Sequence, residues 1–103
     1  MTTYSTAAAL DALGDGTRRE ILELVADRPR SVGEIAGRVP VSRPAVSQHL
    51  RVLTDAGLVR HRKQGTRRFY SADPAGLDAL RTHIERYWQN ALDSFKALAE
   101  EER

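Results

Sequence analysis

Apolar residues recur along this chain in two rhythms, one of three and four residues and one of two, and the change between them divides the sequence. Residues 4–13 (YSTAAALDAL) are alanine-rich, with Leu10 and Leu13 at helical spacing, and Gly14 and Gly16 end the segment. A second helix is expected from Asp15 or Thr17, with Ile21, Leu22, Leu24 and Val25 as its apolar stripe and Pro29 closing it. Ser31 followed three residues later by Glu34 is a capping box, which predicts a short helix to about Arg38, and Pro40 and Val41 make the turn after it. Ser42 then caps another helix, with Pro44 in the first turn, where a missing N–H costs nothing. Within residues 42–56, Val46, Leu50 and Leu53 point one way while Ser47, Gln48 and Arg51 point away, and Gly57 stops the helix in a left-handed cap.

After Gly57 the period becomes two. LVRHRKQ and RRFYSA read as strands joined around Gly65-Thr66, a hairpin over residues 58–72 whose Tyr70 packs it onto the helical body. Asp73-Pro74 opens a last helix running to about Ala99, roughly 26 residues or ~39 Å. Along it Leu77, Leu80, Ile84, Tyr87, Ala91, Phe95 and Leu98 fall three or four apart, and Trp88 and Leu92 widen the stripe. A seam that long exceeds what a small domain can cover by itself, so a partner helix is expected. The predicted fold is mainly α with a β-hairpin: a helix-turn-helix carrying a hairpin wing, followed by a long helix.

Length bounds the rest. A chain of 103 residues is one domain's worth, here residues 1–103, with no repeat or low-complexity linker to divide it. It has no cysteine, so neither a disulfide framework nor a thiolate metal site is available. The apolar runs are far too short to span a bilayer and no signal peptide pattern opens the chain, so a cytoplasmic address is expected.

The net charge of +2 conceals a segregation. Between Ile35 and Ala72 lie Arg38, Arg43, Arg51, Arg60, Arg62, Lys63, Arg67 and Arg68, with Asp55 as the one acid, a surplus of seven. The remainder carries eight basic residues against thirteen acids. One end of the molecule should therefore attract polyanions and the other should not.

A helix with this polar face suits the DNA major groove, which admits one α-helix and displays donors and acceptors on the base edges. Ser42, Arg43, Ser47, Gln48, His49 and Arg51 can supply matching bonds, with arginine bidentate to guanine and glutamine bidentate to adenine. An acid here would meet phosphate at close range, and none occurs before Asp55. Arg60, Arg62, Lys63, Arg67 and Arg68 of the hairpin suit phosphates or the neighbouring minor groove, and His61 is a surface or groove contact. No nucleophile–base arrangement, Gly-rich phosphate loop or paired-acid site is assembled, so an enzyme is not expected.

The sequence also resembles the ArsR/SmtB winged-helix transcriptional repressors. The resemblance is carried by ALGDGTRREILELV (12–25), by SVGEIAGRVPVSRPAVSQHLRVLTDAGLVRHRKQGTRRFYS (31–71) and by the long last helix. Ser47, His49, Leu50, Leu53, Gly57, Leu58 and Val59 fit that family's recognition helix and its passage into the wing, while Gly16 stands where the family usually has proline. The resemblance implies a homodimer joined through the first and last helices, with Leu10, Leu77, Leu80, Ile84, Tyr87, Trp88, Ala91, Leu92 and Phe95 at the interface. It also implies repression from double-stranded operator DNA, and twofold symmetry would make that operator palindromic.

Sensing is where the chain departs. The family's cysteine metal sites cannot exist here, and on the last helix Asp78, His83 and Glu85 are the remaining ligand types. His83 and Glu85 are two apart and face different directions, so no metal and no cofactor are expected. Tyr87, Trp88 and Phe95 are either an effector pocket or simply core. The alternatives left open are a winged helix that binds protein rather than DNA, and a repressor that responds to metal through the last helix.

Overall fold

A computed structural model of the chain describes residues 5–102; position 4 of the expected first helix and Arg103 of the acidic tail lie outside the described residues. The elements follow as α1 (Thr6–Ala12), α2 (Gly16–Asp27), α3 (Val32–Ala36), α4 (Arg43–Asp55), β1 (Val59–Gln64), β2 (Arg67–Ala72) and α5 (Pro74–Glu101). Ser5, Asp15, Ser31, Ser42 and Asp73 cap the helices, each side chain accepting a first-turn backbone N–H that the helix itself leaves free. At α3 the box is reciprocal: Ser31 Oγ accepts the Glu34 N–H at 3.2 Å and Glu34 Oε1 accepts the Ser31 N–H at 3.3 Å. That backbone bond, with the Arg28 guanidinium next, holds the Glu34 carboxyl below its ordinary value.

The helices stop for local reasons too. α2 ends at Asp27 rather than at Pro29, because a residue before proline is pushed out of the helical region, and Arg28 is extended. α3 ends two residues before the expected Arg38, with Gly37 as its cap. α4 closes in a Schellman motif: Gly57 has φ 80°, its N–H reaches Thr54 O at 3.0 Å, and the Leu58 N–H reaches Leu53 O at 3.0 Å. The hairpin pairs Val59 with Ala72 through Gln64 with Arg67. Its two-residue loop has a left-handed Gly65 (φ 64°) and no left-handed Thr66, the pattern of a type II′ turn.

One apolar cluster holds these pieces. Ile21 and Val25 of α2, Ile35 of α3, Val46, Leu50 and Leu53 of α4, and Leu58 at the corner are its largest fully buried side chains. Each contributes roughly 1.5–3 kcal/mol by leaving water. Two arginines stand at the start of α2, where the helix dipole disfavours cations. The structure supplies the compensation. Arg18 Nε donates to Ala12 O at 2.6 Å and Arg19 Nη1 to Leu13 O at 2.8 Å, satisfying carbonyls at the end of α1.

Arg30, only 4 % exposed, ties the hairpin to the helices. Its N–H donates to Tyr70 O at 3.0 Å and its carbonyl accepts the Tyr70 N–H at 2.8 Å, a one-residue third strand beside β2. The guanidinium turns inward to Leu24 O at 2.8 Å and Asp27 Oδ2 at 3.1 Å. Tyr70 packs against the core as expected.

α5 starts against the corner after α4 and then leaves the body. The Asp73 N–H donates to Leu58 O at 2.9 Å, and Gly76 is buried against the Gly57 carbonyl. The apolar seam therefore divides. Leu80, expected at a partner interface, is 7 % exposed within the chain's own core, and Leu77 is half-buried against the same cluster. Leu80 is corrected to intramolecular packing, because the first turns of α5 lie over α1, while Leu77 shares that packing and keeps part of its surface open. Beyond them Ile84, Tyr87, Trp88, Phe95 and Leu98 stand 49 to 70 % exposed, with Ala91 exposed and Leu92 half-buried among them. Leu10 of α1 is exposed as well. The projecting helix raises the radius of gyration to 17.5 Å, against about 13 Å for a compact domain of this length.

The approach of Gly76 to Gly57 predicts a strong effect of one methyl group. A Cβ at residue 76 would land on the Gly57 carbonyl, so Gly76→Ala must push α5 off the corner. We expect a loss of about 2–3 kcal/mol in chemical denaturation, at the upper end of overpacking penalties; an unchanged midpoint would show that α5 is not seated there.

Candidate nucleic-acid interface

The side of α4 opposite Val46, Leu50 and Leu53 is open to solvent. At helical spacing its exposed residues form two adjacent rows, Ser47–Arg51–Asp55 and Pro44–Gln48–Val52. Arg43 starts the helix, its guanidinium lying over Gly33 of α3, in the space a side chain there would otherwise share. The glycine thus makes room for a cation at the N-terminal end of the helix. Ser42 is occupied locally, its Oγ accepting the Ala45 N–H at 3.4 Å.

His49 is set apart from these rows. It lies on the flank of α4 that faces α2, half-buried, with Nδ1 at 3.5 Å from Arg18 Nη1. Asp15 closes the group: its carboxyl is held below the ordinary value first by the Arg18 backbone N–H and further by the charges of Arg18 and His49. Nothing in the sequence pattern around His49 marked this contact, which depends on how α2 crosses α4.

The wing concentrates positive charge. Arg60, Arg62, Lys63, Arg67 and Arg68 are all exposed, as is His61, which lies 5.4 Å ring to ring from Tyr70. Lys63 stands directly opposite Arg68 across the ladder, a like-charge pairing that costs stability. Among the described residues the ion pairs are Arg28–Glu34, Arg30–Asp27 and Arg81–Asp78, so no cation of α4 or the wing is paired with an acid. The sheet face carrying Arg60, Arg62 and Phe69 also walls an open groove of about 560 Å³ beside Pro29. An arrangement with exposed hydrogen-bonding side chains on a helix and unneutralised cations on the adjoining hairpin is chemically suited to a polyanion with readable edges.

Two of the three ligand types singled out on the last helix are engaged otherwise. Asp78 pairs with Arg81, and His83 meets the Tyr87 hydroxyl at 2.7 Å and Arg86 Nη2 at 2.9 Å. Among the described residues no three His, Cys, Asp or Glu side chains gather as a metal site would need, and no helix is long and apolar enough to cross a membrane.

Known proteins share this pattern. The family described as "Bacterial regulatory protein, arsR family" matches residues 15–61, from the cap of α2 into β1. An HTH-type transcriptional regulator of Mycobacterium tuberculosis is 54% identical over 103 residues, covering 99% of this chain and 96% of its own. The transcriptional activator HlyU of Vibrio cholerae is 34% identical (80% of this chain, 76% of its own), and the transcriptional repressor SdpR of Bacillus subtilis is 35% identical (64% and 73%). Among solved structures, an ArsR-like transcriptional regulator from Rhodococcus sp. RHA1 superposes with a TM-score of 0.76 at 36% identity, over 91% of this chain and 92% of its own. A homodimeric winged helix-turn-helix DNA-binding domain from Mycobacterium bovis gives 0.66 at 30% identity, over 81% and 77%. Built on a winged helix-turn-helix and matching the Mycobacterium tuberculosis and Rhodococcus regulators over 99% and 91% of its length, the chain belongs to the ArsR family of DNA-binding transcriptional regulators.

Proposed function

We propose that two copies of this chain pair through α5 and α1 and repress transcription by occupying a palindromic operator. The observation that carries the DNA-binding half is the outward face of α4 beside a wing whose cations have no acidic partner. In this reading Ser47, Gln48 and Arg51 meet base edges in the major groove, and Arg43 meets either a base or the backbone at the entry of the helix. Arg60, Arg62, Lys63, Arg67 and Arg68 hold phosphates and fix the register. Ser42 contributes as a cap and His49 through its contact with Arg18.

Pairing is supported by the stripe from Ile84 to Leu98, since a soluble chain rarely leaves so large an apolar face in water. The Mycobacterium bovis relative is itself homodimeric. A twofold axis through α5 would present two copies of α4 about 34 Å apart, one turn of duplex, so the half-sites should be inverted repeats. Bound across a promoter, such a dimer excludes polymerase; the likeness to SdpR supports that sign of regulation. No cofactor enters this account, and the absence of cysteine leaves no thiolate to sense a metal.

Base reading and phosphate holding separate by mutation. Gln48→Ala should weaken binding to a preferred duplex by about 1–3 kcal/mol and leave an unrelated duplex nearly unaffected. Lys63→Glu should weaken both alike, without lowering fold stability, because it converts the Lys63–Arg68 clash into an attractive pair. Equal losses from Gln48→Ala on the two duplexes would place that residue on phosphate. The dimer has its own check: Ile84→Glu buries a charge at the seam and should yield monomers in sedimentation, whereas an unaltered dimer would remove α5 from the interface.

A further inference from the structure

Six of the seven large apolar side chains left exposed among the described residues belong to α1 and α5, where a second copy would cover them. The seventh is Val52, 40 % exposed, towards the C-terminal end of α4 and at the edge of the face that the helix turns outward. A single exposed valine is ordinary on a protein surface. Its placement is what distinguishes it. Val52 follows Gln48 by one helical turn and Pro44 precedes Gln48 by one turn, so a row of this face runs apolar, amide, apolar. The parallel row, Ser47–Arg51–Asp55, is wholly polar.

Inside a major groove these two kinds of row meet different chemistry. The base edges there present mostly nitrogen and oxygen donors and acceptors, and thymine alone adds a methyl group, at C5. A valine pressed against one of those polar groups would strip it of water and return no hydrogen bond. Against a thymine methyl, it removes two apolar groups from water together. Four residues of helix advance about 6 Å, close to two base steps of 3.4 Å, so a base met by Gln48 and one met by Val52 are neighbours in the same half-site.

We propose that Val52 is a specificity-determining residue of α4, selecting a thymine by its methyl group about two base pairs from an adenine read by Gln48. The inference rests on the reading of α4 as the helix that enters the major groove. It makes Val52 a discriminator between thymine and every other base, uracil included, while Gln48 supplies the hydrogen bonds.

The test uses the full chain and a duplex that the wild-type protein enriches from a randomised pool. Each thymine of one half-site is replaced singly by uracil, which keeps base pairing and deletes only the methyl. For wild type, one replacement should weaken binding about four-fold, the worth of one methyl taken out of water. Val52→Ala, a change on an exposed surface that leaves the core intact, should lose affinity for the thymine duplex and bind thymine and uracil equally at that position. Gln48→Ala should retain the thymine–uracil difference. If no replacement affects wild type, or if Val52→Ala keeps the same discrimination, the assignment of Val52 is overturned while α4 remains a reader of bases. If the pool yields no preferred sequence at all, the major-groove reading of α4 falls and this inference with it.

Discussion

Val46, Leu50 and Leu53 put one side of α4 into the core, and the orientation of that helix decides what the molecule can touch. An α-helix that buries one stripe must present the opposite one, and here the opposite one is Ser47, Gln48, Arg51 and their neighbours. The caps reinforce the choice. Ser42 and Pro44 set where the helix begins, the left-handed Gly57 sets where it ends, and the bond from Leu58 N–H to Leu53 O turns the chain directly into the wing. Helix and hairpin are therefore fixed relative to each other by a corner of a few residues, into which α5 is also wedged at Gly76.

Against that frame, the wing is built at a cost. Five cations on a short hairpin, two of them facing each other, repel one another, and no acid of α4 or the hairpin neutralises them. Elsewhere Arg28, Arg30 and Arg81 have carboxylate partners, while Arg18 and Arg19 donate to the carbonyls that end α1. In the proposed reading, these unpaired cations beside α4 mark the binding surface more sharply than the net charge does. In the proposed complex the phosphates of DNA would supply the missing negative charge, and attraction to them would offset the repulsion within the wing.

Much of this was legible from local signals, because caps and turns are short-range chemistry. Ser31 with Glu34, Ser42 with Pro44, Gly57, Gly65-Thr66 and Asp73-Pro74 each mark an element boundary with residues that are neighbours in sequence. What stayed hidden depends on how elements cross. Leu80 and Ile84 lie on one helical stripe, yet the first is covered by the chain itself and the second is not. Periodicity reports a stripe and is silent about which body covers it. Arg30 has no periodic neighbours to announce a single-residue bridge with Tyr70, and a buried arginine is an unlikely inference from sequence in any case. Pairing of His49 with Arg18 likewise requires α2 and α4 to be placed before it can be seen, although two arginines in the first turn of a helix, against its dipole, are a readable sign that they serve something outside it.

We propose that α4 and the unneutralised cations of the wing form one surface that engages the phosphates and bases of duplex DNA. The measurement closest to it is the affinity of the full chain for a duplex over a range of salt concentrations. Each phosphate neutralised should add about 0.9 to the downward slope of log K against log salt, so a surface of this kind predicts a slope of several units. A slope near zero, or no affinity for duplex DNA at low salt, would contradict the account.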